Sequence, residues 1–237
     1  MSTKRIILIS GYARSGKDSL ANALTKELAH LEPVRVKFAD VLKASLSVSL
    51  KRIGLDVDVF TEDNAAKQAI RPLLVEFGKF ARSVDRDVFV RAAWKDICDL
   101  LENGKSVVIV PDLRYVNEFN LISEWSESCG WVVTHLRIAR MGNHAANDEE
   151  LQSICSLPQA DAVRVFGEGD LAGIDAWAKE LCRNPSLPVP TISRVEVQAK
   201  TGAVGDRELL DAVLGVRLQL ERMEARIKRL EADRHDF

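Results

Sequence analysis

The feature that most restricts how this chain can fold is a strand, loop and helix signature at its N-terminal end. An apolar, β-branched run, Lys4–Ser10 (KRIILIS), leads directly into Gly11-Tyr-Ala-Arg-Ser-Gly16-Lys17-Asp18-Ser19. A helical pattern follows over Lys17–Ala29, with Leu20, Ala21, Leu24 and Leu28 on one face. A strand without polar alternation is apolar on both faces, so it must be covered on both, as in a parallel sheet. Between such a strand and a helix, the spacing GxxxxGK has a mechanical meaning. The glycines let the backbone curl until successive N–H groups face one point. The helix N-terminus adds the positive end of its dipole there, and Lys17 adds a mobile cation for β- and γ-phosphates.

The remaining pattern agrees with that start. Val34–Phe38, Ser106–Val110 (SVVIV), Trp131–Ile138 (WVVTHLRI) and Ala162–Phe166 read as further strands. Helices are predicted over Asp40–Leu55, Thr61–Ser83, Asp87–Asn103 (ended by Gly104), Asn117–Cys129 and Leu171–Cys182. Strands alternating with helices give an α/β domain with a parallel sheet between two helical layers, over residues 1–183. The character then changes. Asn184–Pro190 (NPSLPVP) opens a Pro- and Gly-containing linker over 184–205. From 206 to 237 a heptad stripe appears, with Val213, Leu220 and Ile227 at a and Leu209, Val216, Met223 and Leu230 at d. Its narrowness predicts a C-terminal coiled-coil helix through which the protein forms a homo-oligomer, against a lone amphipathic helix lying on the domain.

Composition excludes several classes. A net charge of −2 gives no global basic field for nucleic acid or anionic membrane. No run approaches a membrane span or a signal peptide, so a cytoplasmic protein is expected. Cys98, Cys129, Cys155 and Cys182 form no CxxC pair, and reduced, partly buried thiols are expected rather than a metal or redox site.

The loop assigns Gly11, Arg14, Ser15, Gly16, Lys17, Asp18 and Ser19 to the phosphates of ATP. Asp18 stands where the motif carries a hydroxyl, and the hydroxyl comes one position later. Ser19 is therefore assigned to Mg²⁺ or phosphate, while Asp18 either touches a metal-bound water or caps the helix. Asp112 ends a buried strand, where open α/β sheets bind ligands. It would hold Mg²⁺ through water or orient Arg114, or else cap a helix or turn. Arg71, Arg82 and Arg114 suit an acceptor phosphate because a guanidinium grips phosphate bidentately. Arg14, Arg137 and Arg140 are placed to reach the transferring group or the base. Phe38 and Trp94 suit the core better than base stacking.

Several stretches together resemble the deoxynucleoside monophosphate kinases of bacteriophages, within the P-loop nucleoside monophosphate kinase superfamily. They are the loop ARSGKDS; Arg71-Pro-Leu-Leu-Val-Glu-Phe-Gly78 with Arg82-Ser-Val-Asp85-Arg-Asp87; Asp112-Leu-Arg114-Tyr-Val-Asn117-Glu118 after a strand; Leu136-Arg137-Ile-Ala-Arg140 followed by His144; and Ala160–Val163 with Gly169-Asp170-Leu171. The resemblance spans about residues 4–183. The family's His-Ala-Ser-Glu segment reads His144-Ala-Ala-Asn-Asp-Glu149 here, which departs from it. The resemblance implies a three-layer P-loop kinase fold, ATP and Mg²⁺ as cofactors, a small-molecule nucleotide substrate, first substrate contacts at Asp40 and Lys43, catalytic Lys17, Asp112, Arg114 and Arg140, and a site of action in the host cytoplasm if a phage encodes the protein. Dephospho-coenzyme A and phosphomevalonate kinases use similar loops and remain alternatives, as does a non-catalytic nucleotide-binding protein working through its coiled coil. A DNA-associated ATPase lacks the basic, aromatic-interleaved face it would need.

Overall fold

The computed structural model describes residues 3–183. The linker over 184–205 and the heptad segment over 206–237, with the oligomer expected through it, lie outside the described residues. The order of elements is β1 (Arg5–Ser10), α1 (Lys17–Glu27), β2 (Val34–Arg35), α2 (Phe38–Arg52), α3 (Asn64–Val84), α4 (Val88–Glu102), β3 (Val107–Leu113), α5 (Val116–Ser128), β4 (Val132–Arg140), α6 (Asp148–Ser156), β5 (Ala162–Phe166) and α7 (Leu171–Arg183).

The five strands form one parallel sheet in the order β2-β3-β1-β4-β5. β1 sits at its centre, as its unbroken apolar run requires. Alternate residues serve the two faces. Ile7 and Ile9 join Leu20, Leu24, Trp177 and Leu181 on the α1/α7 side, while Ile6 and Leu8 join Phe38, Val90, Ile97 and Ile122 on the α2/α4/α5 side. Ile6, Leu8 and Ile9 are wholly buried. Trp94 stacks against Trp125 and Trp131, each at 5.4 Å between ring centres, so both Trp94 and Phe38 are core residues. Among the described residues no helix is long and apolar enough to cross a membrane. No disulfide joins the four cysteines; Cys98 and Cys182 are half-buried, and Cys129 and Cys155 are exposed.

Three local expectations need correction. The second strand was expected to run to Phe38, but ladder pairing stops at Arg35 and Phe38 already opens α2. The reason lies 74 residues away: the Asp112 carboxylate accepts from the Phe38 amide (3.2 Å) and the Ala39 amide (2.9 Å), capping the helix. The third strand was expected to end before Pro111, yet β3 continues to Leu113. Leu8 pairs with Val110 but Ser10 with Leu113, so a bulge absorbs the proline's missing donor. The third correction is α6, where no helix was expected. Its charged first turn hides the apolar period, but Asn147 accepts from the Glu150 amide at 2.8 Å, an N-cap that the spacing Asn147-x-x-Glu150 signals. Gly78 lies within α3, as the predicted helix over Thr61–Ser83 requires. It is the contact with α2, where a Cβ would lie 2.6 Å from Leu42 Cδ1.

Candidate active site

The site is built at the carboxyl ends of β1, β3 and β4, where the connecting loops leave the sheet. The loop after β1 wraps tightly. A Cβ on Gly11 would sit 2.2 Å from the backbone oxygen of Ile138, so only glycine lets the loop pass β4 here. Gly16 precedes α1 at φ 96, and Arg14 stands at φ 61, a left-handed conformation that residues with side chains seldom hold. Lys17 Nζ donates to the carbonyls of Gly11 (2.7 Å) and Tyr12 (2.6 Å), which aims the ammonium across the mouth of the loop. Burial, followed by the charge of Arg114, lowers the lysine's pKa. Ser15 Oγ is buried and has no hydrogen-bond partner.

An orphaned hydroxyl, a lysine held by carbonyls and a loop too close for a Cβ together fit the phosphates of a nucleoside triphosphate. Ser19, with Arg14, Ser15 and Gly16, lines an adjoining cleft of about 150 Å³. Arg140 lines it from the end of β4, and Phe166, Gly167, Gly169 and Leu171 from the β5–α7 turn. Arg140 also meets Glu168 at 3.2 Å. The β5–α7 turn was matched only as a strand and a helix; its glycines line the cleft. Among the described residues no three His, Cys, Asp or Glu side chains gather into a metal cluster. The Ser19 hydroxyl in the cleft is a suitable single protein oxygen for a Mg²⁺ held mainly by phosphate oxygens.

Asp112 is engaged by the two α2 amides, and burial raises its pKa to about 6. It makes no bond to Arg114. Asp18 does not cap α1: its exposed carboxylate pairs with Arg35 (2.8 Å) and Lys37 (2.9 Å), tying α1 to the β2–α2 corner. Arg114 leaves the end of β3 and pairs with Glu150 at 3.1 Å. The rest of its motif is a brace. Buried Glu118 accepts from the amides of Arg114 and Tyr115 (both 2.9 Å), and Asn117 donates to Asp87 (2.9 Å). Two matched segments are thereby bolted together, and Arg82 is laid over the rings of Tyr115 (5.2 Å) and Phe89 (5.6 Å).

Arg71 is exposed on α3, and Lys43 on α2 lies over Phe60 at 5.4 Å. Asp40 is exposed in the first turn of α2. These three are not drawn into the cluster around Lys17. Arg137 is packed under α6, donating to the carbonyl of Ile154 at 3.3 Å, and His144 is exposed. Sequence reasoning missed Glu150, which belongs to the unexpected α6.

Residues 9–128 match the phosphomevalonate kinase family. No curated protein matches the chain. Similar solved structures include a kinase-like protein of Chloroflexus aurantiacus (15% identity, TM-score 0.47, covering 78% of this chain and 98% of that one). Others are the APS kinase of Mycobacterium tuberculosis with AMPPNP and APS (15%, 0.44, 77% and 98%) and a sugar kinase of Janibacter (12%, 0.43, 79% and 99%).

Proposed function

The chain belongs to the phosphomevalonate kinase family, and from that premise we propose that it transfers the γ-phosphoryl group of ATP to the phosphate of a small phosphate monoester, yielding ADP and the diphosphate; the chain's own Asp112–Glu118 motif, rather than the family match, makes a deoxynucleoside monophosphate the proposed acceptor. The observation that carries this reading is the convergence of two cations from different strands. Arg114, from the end of β3, shares one oxygen of Glu150 (3.1 Å) with the Ala13 amide of the β1 loop (2.9 Å), which brings it to the loop that carries Lys17, and its charge helps lower the lysine's pKa. One cation faces a donor phosphate and the other an acceptor phosphate. That is the arrangement needed when both reactants are anions and the protein's task is alignment and charge compensation.

An acceptor phosphate oxygen is already a nucleophile and needs no base. It bonds to the γ-phosphorus while the bond from that phosphorus to the β–γ bridging oxygen breaks. Lys17 and the loop amides hold the donor oxygens throughout. Arg114, with Arg82 beside it, grips the acceptor, and Arg14 and Arg140 flank the cleft. Asp112 acts at one remove by fixing the start of α2, where Asp40 and Lys43 would meet the acceptor. When bound beside Ser19, and through water near Asp112, Mg²⁺ would offset the remaining charge on the donor phosphates.

The Asp112-x-Arg114-x-x-Asn117-Glu118 stretch supports a nucleotide acceptor. A second reading, phosphomevalonate as acceptor, is favoured by the family match. An ADP-release assay across the deoxynucleoside monophosphates, dephospho-coenzyme A and phosphomevalonate separates them. Release dependent on a deoxynucleoside monophosphate is expected; release with phosphomevalonate alone would replace that acceptor. ATP binding without turnover of any acceptor would defeat the catalytic reading. The heptad stripe supports a homo-oligomer. Deleting residues 206–237 is expected to lower the number of chains per particle in light scattering while activity survives, and an unchanged number would refute that assembly role.

A further inference from the structure

Glu150 is only 4% exposed, although it belongs to the charged first turn of α6. One carboxylate oxygen accepts from the Ala13 amide of the β1 loop (2.9 Å) and from Arg114 (3.1 Å), and the other from the Ala146 amide (2.8 Å). Lys17 is near enough to stabilise its charge. Helix capping does not require this burial, because Asn147 already caps α6. The bonds to Ala13 and Arg114 cross 137 and 36 positions of sequence. Two neighbouring bonds fasten the same segment: Asn143 to the Ala13 carbonyl (2.9 Å) and Tyr115 to Glu149 (3.0 Å). An internal anion therefore occupies a loop amide, the acceptor-side arginine and the field of the loop lysine, all at once.

We propose that Glu150 is a positioning residue that stands in for phosphate. In the free protein it holds the Ala13 amide and Arg114 in place. It gives both up to phosphate oxygens when the reactants bind, and the start of α6 lifts with it. The inference rests on the phosphotransferase reading above. Its physical basis is that a carboxylate and a polyanionic phosphate cannot share one donor set in a low-dielectric cleft without strong repulsion. Phosphate binding and the Glu150 contacts are therefore competing states, and the apparent affinity for nucleotide is reduced by the fraction of molecules in which the contacts are closed.

The test measures AMPPNP binding to the full chain by calorimetry, in wild type, Glu150→Gln and Glu150→Ala, with hydrogen exchange over residues 143–151. Gln keeps the shape and the accepting oxygen but removes the charge, so it serves where Ala compromises folding. If the contacts are closed in about nine molecules of ten, Glu150→Gln tightens binding about tenfold. In wild type, AMPPNP should raise exchange at Ala146 and the following turn; in Glu150→Gln, exchange there is already high and changes less. Equal or weaker AMPPNP binding by folded Glu150→Gln, or protection of that turn by AMPPNP in wild type, overturns the proposal while leaving the nucleotide site standing. Failure of wild type to bind AMPPNP overturns both.

Discussion

The α1/α7 layer and helix α3 are built differently. On the donor side, α1 buries Leu20, Ala21, Ala23 and Leu24, and α7 buries Ile174, Trp177, Ala178 and Leu181, all against the centre of the sheet. On the proposed acceptor side, α3 carries Arg71 and Arg82 but fully buries only Gly78. Leu73, Phe80 and Val84 on the same helix are 46%, 67% and 74% exposed. Its inner residues Ile70, Leu74 and Phe77 pack in a small separate cluster with Leu46, Leu50 and Val59. Apolar burial is the main source of local stability, so the α1/α7 layer is the firmer body and α3 the more loosely seated helix. A triphosphate is common to many reactions and suits a fixed cradle. An acceptor that must enter, be gripped and leave suits arginines on a loosely seated helix.

Four tests would break or sharpen that contrast. The largest effect is expected from Lys17→Ala, which should cut kcat by on the order of a thousandfold or more, as for loss of a preorganised transition-state charge. The melting temperature should hardly move, and near-normal turnover would remove the donor site from its assigned place. Next, Arg114→Ala should lower kcat/KM for the acceptor by roughly a hundredfold, from loss of charge-assisted hydrogen bonds. Arg114→Lys should recover only part of it, because an ammonium lacks the bidentate fork. Full recovery in Lys would mean that charge alone matters there.

The third is a stability pair. Leu24→Ala on the donor side, where the residue is 1% exposed, should cost about 2–5 kcal/mol in denaturant unfolding. Phe80→Ala on α3 should stay within about 0.5 kcal/mol. Equal costs would show that α3 is seated as firmly as α1. The smallest effect concerns Glu118, whose carboxyl is pushed up from 4.5 to about 7 by burial. The folded chain binds this proton more tightly than the unfolded chain. The stability it confers is therefore complete below pH 4.5 and is lost as pH rises to about 7. Burial and the Arg137 charge lower His135 to about 4, which acts in the opposite sense as pH falls below 6.5, so the informative quantity is the difference between proteins. Glu118→Gln minus wild type should become more stabilising as pH rises through that window; a difference flat in pH would contradict the buried proton.

Much of the donor side was legible because its information is local. The run of Ile6–Ile9, the glycines at 11 and 16, and the leucines of α1 each report a conformational demand met within a few residues. The strand order and the acceptor brace were less so. That Phe38 begins a helix follows from Asp112, and that Asn117 matters follows from Asp87, contacts no periodicity records. Glu150 was hidden for a similar reason: in the string Asn-Asp-Glu-Glu a buried carboxylate looks the same as its solvated neighbours.

The sequence by itself determined that a central buried strand delivers a phosphate cradle to the first helix, because backbone sterics and apolar period act at short range. Only the tertiary structure decided which charges meet at that cradle. Asp18 went to Arg35 and Lys37, Asp112 to the amides of α2, and Arg114 to Glu150. Pairing among charges depends on which surfaces the sheet order brings within a few ångströms, and chain distance does not encode that.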